Sequence, residues 1–401
     1  MIIFASDNNF CMKTHPFLIF LIILLGTLSC NRESKDVLAG LKVVADSVRI
    51  RYVPDSRDDV FEVTVSQRNG KPVLRGITSV AEAKAELLNR IRAISPEAVD
   101  SIAVLPEEGL EDRTCAVANV SVADLRTAPE YSAEMATQIL LGSPVQILQN
   151  GRGWYRVKTT DGYVAWIQKS TVTRINRESL HEWETAPKVI FTDDYGFAYE
   201  TDDERRQRAS DLVFGNLLRW EGDCGRFYCV AYPDGRRAYV LKSQSRMFND
   251  WKASIRLTEE SIAETALALK GIPYSWGGTS VKAMDCSGFS KTVYLKHGVV
   301  LKRDASQQAK TGIAVDISEG YEQLRVGDLL FFGKKAEGSR KERVRHVAVY
   351  LGNKEFIHAA GYVHISSLDP EQPHYDEGNA RELIRANRIL GALGTEGVGE
   401  L

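Results

Sequence analysis

Cys286, in the run DCSGFSKTVYLKHG, follows a glycine-containing stretch and opens a predicted helix. A thiol there meets the helix macrodipole and free backbone N–H groups, which lower a cysteine pKa to roughly 3.5–7.5. The placement therefore predicts a thiolate at neutral pH. A thiolate nucleophile needs a partner to manage protons, and two histidines can serve. His346 opens the apolar stretch HVAVYLG and His358 lies on the next predicted strand, EFIHAAG. A turn through Leu351, Gly352 and Asn353 would fold these strands into a hairpin and bring the histidines together, one as base and the other to orient it. A lone buried cysteine is usually inert and a lone strand histidine is usually structural, so the weight rests on the three residues jointly.

The elements that must position these groups belong to a C-terminal segment, 253–401. It opens with a helix, TEESIAETALALKG, that ends at Gly271 ahead of Pro273. The strands GDLLFFG, HVAVYLG and EFIHAAG follow the cysteine, which makes the segment an α+β domain. Upstream, 114–180 and 181–252 are strand-rich and turn-rich. At an offset of 73 residues Gly142 meets Gly215, Tyr155 meets Tyr228, Asp161 meets Asp234 and Gly162 meets Gly235. Matching turn glycines and aromatic strand positions predict two copies of one small β-barrel. Residues 31–113 form a small α+β unit of strand, strand, helix and strand. Asn69-Gly70 supplies its hairpin turn, and Ser79 with Glu82 a capping box for the helix.

The first thirty residues differ from the rest. Lys13 and His15 precede an apolar run from Phe17 to Leu28, too short to span a bilayer comfortably but suited to a secretory leader. It ends in Thr27-Leu28-Ser29-Cys30, which resembles the lipobox of bacterial lipoproteins and implies lipidation of Cys30. With Asn31 next, the expectation is an outer-membrane lipoprotein facing the periplasm. Among the 401 residues, 51 Lys and Arg stand against 53 Asp and Glu, a balance that argues against a nucleic-acid binder. Of the six cysteines, Cys11 and Cys30 belong to the leader, and the other four make no disulfide framework. Cys224 and Cys229 read as ordinary buried thiols, with a hairpin-spanning pair as the alternative. No cluster has zinc spacing, and neither metal nor cofactor is expected.

Together the motifs resemble the NlpC family of papain-like cysteine peptidases. The matching runs are PYSWGG (273–278), DCSGF (285–289), RDASQQ (303–308), GDLLFF (327–332), HVAVYLG (346–352) and FIHAAG (356–361), all in family order. The two upstream β units resemble bacterial SH3-like domains, the first more strongly through LLGSPVQIL and GWYRVKTTDGYVAW. The resemblance implies an α+β chain in which a papain-like peptidase domain follows two SH3-like barrels and the small N-terminal domain. It implies Cys286 as nucleophile, His346 as general base and then acid, His358 as the orienting group, and Tyr274 as an oxyanion donor beside the Cys286 N–H.

Relatives with this domain arrangement resemble γ-D-glutamyl-diamino-acid endopeptidases acting on peptidoglycan stem peptides with a free N-terminal L-alanine. By that resemblance Asp285 would pair with the substrate ammonium, with a cap on the Cys286 helix as the alternative, Ser287 would add a hydrogen bond, and Trp276 would wall the alanine pocket. Arg303 would lie near the D-glutamate, with a structural salt bridge as the alternative, and Asp304 and Ser306 are further substrate-binding candidates, Ala305 standing where relatives carry a serine. Tyr163, from the first SH3-like unit, would cap the cleft. Relatives carry an acid where this chain has Ala136, and Glu134 is the expected substitute. Two readings compete: a general hydrolase of intact wall using the same triad, and a non-catalytic wall-binding lipoprotein. The intact Cys286, His346 and His358 argue against the second.

Overall fold

The computed structural model describes residues 36–401. The leader and Cys30 lie outside the described residues, and among those described no helix is long and apolar enough to cross a membrane. The described residues divide into two compact units, one of 36–54 with 60–104 and one of 55–59 with 105–401.

In the smaller unit a helix over 36–52, which sequence reasoning did not anticipate, joins the three-stranded sheet and the helix Ala81–Ile94. Leu41, Val48, Leu74, Leu87, Ile91 and Ile102 make its core. The expected hairpin pairs Phe61–Arg68 with Lys71–Thr78, and Asn69 and Gly70 both take positive φ at the turn. The expected capping box is absent. Val80 occupies the N-cap without a side-chain bond, and the Ser79 hydroxyl accepts the Val60 N–H instead.

Within the larger unit, seven strands from Cys115–Ala118 to Val172–Ile175 form one sheet, and seven from Lys188–Phe191 to Ser245–Met247 form another. Numbered within each sheet, both run last, first, fourth, fifth, sixth, second, third. The turn glycines matched in sequence also agree, since Gly142 and Gly215 have φ of 85° and 86° and Gly162 and Gly235 of 90° and 87°. An L side chain is strained at such angles, which accounts for glycine in both copies. Cys224 and Cys229 form a disulfide across the hairpin of Leu217–Cys224 and Phe227–Ala231, with Cα atoms 5.7 Å apart. This corrects the expectation of free thiols: strands that pair Cys224 with Phe227 leave the two cysteines only slightly staggered on neighbouring strands.

The C-terminal part is a six-stranded antiparallel sheet, in spatial order Ile313–Val315, Leu383–Arg388, Leu329–Lys334, Arg343–Gly352, Glu355–Ala360 and Tyr362–Ser367. The helix Cys286–Leu295 packs Phe289, Val293 and Tyr294 against Phe331, Val347, Val349 and Ile357. The opposite face buries Leu330, Phe332, Ala348, Tyr350 and Phe356. Burial on both faces explains why HVAVY reads as a continuous apolar run rather than an alternation.

Candidate active site

Cys286 is the first residue of its helix, and Asp285 is the N-cap, accepting the Gly288 N–H at 2.7 Å. Gly288 is required by packing, because a Cβ there would lie 1.9 Å from the Gly278 carbonyl oxygen. The thiol is buried, and the backbone N–H groups of Val347 and Ser287 are close enough to favour its charged form, so the sulfur lies beside the strand position that follows His346.

The hairpin of Arg343–Gly352 and Glu355–Ala360 turns through Asn353 and Lys354, both at positive φ. It brings His346 Nε2 within 2.7 Å of His358 Nδ1. His358 in turn pairs across the sheet with His364, their Nε2 atoms 3.2 Å apart, and the Ser366 hydroxyl lies 3.2 Å from the same His358 nitrogen. His364, which the sequence motifs did not single out, is the third imidazole of a relay. His374 and His297 also have partners, Glu355 for the first and Thr265 and the Arg256 carbonyl for the second.

Electrostatics overturn the expected thiolate. Burial, and after it the Asp285 charge, pushes the Cys286 thiol up to about 12. Burial lowers His346 to about 4, and burial with the two neighbouring imidazoles lowers His358 further. The partial charge of a helix end does not offset full desolvation plus an adjacent carboxylate. Both directions favour a neutral thiol and a neutral imidazole at rest.

Arg303 is 1% exposed. Its guanidinium donates to both oxygens of Asp285, at 3.1 and 2.6 Å, to the Ser287 hydroxyl at 2.9 Å and to the Thr137 hydroxyl at 3.0 Å. Asp285 also accepts from Gly277 N at 2.9 Å and from the Ser287 hydroxyl at 3.2 Å. Asp285 and Arg303, expected at the substrate ammonium and at the D-glutamate, are thus buried against each other, and every polar atom of the pair has a protein partner.

The acid that faces outward is Glu134. It comes from the first β unit, just before the strand Met135–Leu140, and accepts the indole N–H of Trp276 at 2.6 Å. Trp276 is 61% exposed. Tyr274 is half-buried beside Cys286, and burial followed by the thiolate's charge would push its phenol up to about 12, so it stays a donor. Tyr163, from the same β unit as Glu134, donates to Asp304 at 3.3 Å.

Arg57 was missed altogether. The segment Asp55–Asp59 lies along the larger unit, where Arg57 donates to Asp304 at 2.7 Å and to the Ser306 hydroxyl at 2.9 Å. Asp55 grips the same guanidinium at 2.8 and 2.6 Å, and Val164 N donates to the Arg57 carbonyl. Asp58 and Asp59 pair with Lys302 and Lys158. Asp304 and Ser306, expected at the substrate, therefore meet Arg57.

Comparison with known proteins agrees with this architecture. The NlpC/P60 family model matches residues 271–381, and the bacterial dipeptidyl-peptidase SH3 domain model matches 125–172. The chain is 29% identical over 234 residues to a γ-D-glutamyl-L-lysine dipeptidyl-peptidase of Bacillus cereus, covering 56% of this chain and 67% of that one. It is 34% identical over 142 residues to a probable endopeptidase NlpC homolog of Haemophilus influenzae, covering 35% and 67%. The crystal structure of an NlpC/P60 family protein from Bacillus cereus superposes with a TM-score of 0.58 at 25% identity, covering 68% of this chain and 99% of that one. With the family model matched and a relative 34% identical over two thirds of its length, the chain belongs to the NlpC/P60 family.

Proposed function

We propose that the chain is a cysteine peptidase that cuts between γ-D-glutamate and the diamino acid of peptidoglycan stem peptides whose N-terminal L-alanine amine is free. The observation that carries this is the Cys286 thiol beside Val347, with His346 held by His358 at 2.7 Å. As the sulfur attacks the scissile carbonyl carbon, its proton passes to His346, and a C–S bond replaces the carbonyl π bond. The oxyanion is met by the Cys286 N–H, which has no intrahelical acceptor, and by the Tyr274 hydroxyl. A well-placed donor of this kind contributes about 3–4 kcal/mol. His346 then returns the proton to the leaving amine as the C–N bond breaks, and water hydrolyses the thioester.

The B. cereus relative named a γ-D-glutamyl-L-lysine dipeptidyl-peptidase supports this bond as the target. For the free amine, Glu134 replaces Asp285, since it is exposed and its second oxygen has no partner among the described residues. Tyr163 and Trp276 would wall the alanine side of the cleft. We also propose that a lipid on Cys30 tethers the mature chain to the cell envelope, as an outer-membrane lipoprotein facing the periplasm.

The test is incubation of the purified mature protein with defined muropeptides and mass spectrometry of the products. Free-amine L-Ala-γ-D-Glu-diamino-acid peptides should be cut after the D-glutamate, and Cys286→Ala should abolish this while melting like the parent. Turnover by Cys286→Ala would overturn the cysteine mechanism, and equal cleavage of intact sacculi would favour a general wall hydrolase.

A further inference from the structure

The relay does not end at His358. On the strand Tyr362–Ser367, His364 Nδ1 lies 2.9 Å from the backbone carbonyl oxygen of its own neighbour Tyr362. A carbonyl only accepts, so that nitrogen carries a proton. A neutral imidazole has one N–H, which leaves His364 Nε2 bare. The facing His358 Nε2, 3.2 Å away, must then be the donor, because two lone pairs at that distance repel. With its proton on Nε2, neutral His358 presents a bare Nδ1. His346 Nε2, 2.7 Å from it, is the donor of that contact, and His346 Nδ1 is left without a proton.

We propose that His364 is a positioning residue that fixes the tautomer of His346 through His358, so that the nitrogen offered to the Cys286 thiol is the bare one. The proposal rests on Cys286 and His346 acting as nucleophile and base. Ser366 does not set the tautomer. Its hydroxyl lies 3.2 Å from the same His358 nitrogen, but a hydroxyl can donate as readily as accept. The Tyr362 carbonyl is the one group along the relay whose role is fixed by its chemistry.

His364 is half-buried and borders a cavity of about 720 Å3. Facing it there are Lys270 after the helix Glu259–Ala268, Glu355 on the neighbouring strand, and His374, Tyr375, Asp376 and Glu377 from the following loop and helix. His374 and Glu355 are paired with each other at 2.9 Å. His358, Tyr362 and Ser366 complete its surroundings.

The experiment uses the full mature chain with 15N-labelled histidine, without substrate, followed by kinetics on a free-amine stem tripeptide from pH 5 to pH 9. At neutral pH the His346 resonances should report Nε2–H in the parent. In His364→Ala the Nδ1–H form should appear, with kcat reduced roughly tenfold or more and KM within about twofold. His364→Gln offers an amide carbonyl that accepts but does not titrate. It should restore the tautomer and the rate at neutral pH. An unchanged His346 Nε2–H signal in a folded His364→Ala protein overturns the proposal, as does a His364→Gln protein whose tautomer and rate stay those of His364→Ala. Failure of the cysteine mechanism itself would show separately, as turnover by Cys286→Ala, because the tautomer is read without turnover.

Discussion

Arg303 closes on both carboxylate oxygens of Asp285, the residue directly before Cys286, from a position in which neither side chain reaches solvent appreciably. The pair ties the start of the cysteine helix to the RDASQQ loop and, through Thr137, to the first SH3-like unit. Removing one partner leaves a buried charge uncompensated, which typically costs about 3–5 kcal/mol. Arg303→Met should therefore lower unfolding stability by that order, read as a shifted urea midpoint with unchanged slope. An unshifted midpoint would show that the pair carries no structural weight.

Glu134 has a different signature. Glu134→Gln keeps the bond to Trp276 and removes the charge proposed to meet the substrate amine. A hydrogen bond to a charged group contributes about 1.5–3 kcal/mol, so kcat/KM on a free-amine peptide should fall about 10- to 100-fold while N-acetylated peptides are cut at their former low rate. If the two peptides lose rate equally, Glu134 does not read the amine.

The contrast shows how far the sequence reached. Cys286, His346 and His358 were legible because a helix start and two short strands around Asn353 leave few ways to arrange them. His364 carried a signal that went unused: Gly361 sits midway between it and His358, and a hairpin centred there pairs the two directly. Arg57 carried none, since its contacts with Asp304 and Ser306 span most of the chain and no local periodicity encodes them. The thiol's protonation was misjudged because helix placement is visible in sequence, whereas the depth of burial and the closeness of Asp285 are set by packing. The Cys224–Cys229 bond likewise depends on strand register, which spacing alone left open.

A neutral resting thiol is measurable by alkylation. Iodoacetamide should label unliganded Cys286 slowly at pH 7 and rapidly only well above the range in which an ordinary cysteine ionises, because thiolate is the reactive form. Fast labelling that is level from pH 5 upward would mean a pre-formed thiolate–imidazolium pair.

Acid should loosen the fold through its buried histidines. His346, His358 and His297 have pKa values depressed below the ordinary 6.5 by burial, so the unfolded chain binds more protons as pH falls from about 6.5 toward about 4. Their contribution is complete above that window and is lost as pH falls through it, at up to about 1.4 kcal/mol per pH unit for each group. Chemical denaturation at pH 7 and pH 5 should show the loss, and His297→Asn should reduce it. A flat stability profile across that range would contradict neutral buried histidines.

For the lipid tether, Cys30→Ser should move the protein from the membrane to the soluble fraction of fractionated cells. Equal membrane association of both forms would remove the anchor from the proposal.

The strap Asp55–Asp59 bears on how such a protein can be shortened or recombined. In sequence it lies between two stretches of the small N-terminal unit, yet its side chains complete the surroundings of Asp304, Ser306 and Lys302. Trimming the chain back to the start of the first SH3-like unit would delete Arg57 along with the small unit and leave Asp304 with only the more distant Arg303, at 3.9 Å, of its two cationic partners among the described residues. A fragment of barrels and peptidase alone would thus carry a different charge beside Asp304 from its parent, so a shortened chain that is to keep this site has to keep residues 55–59 as well.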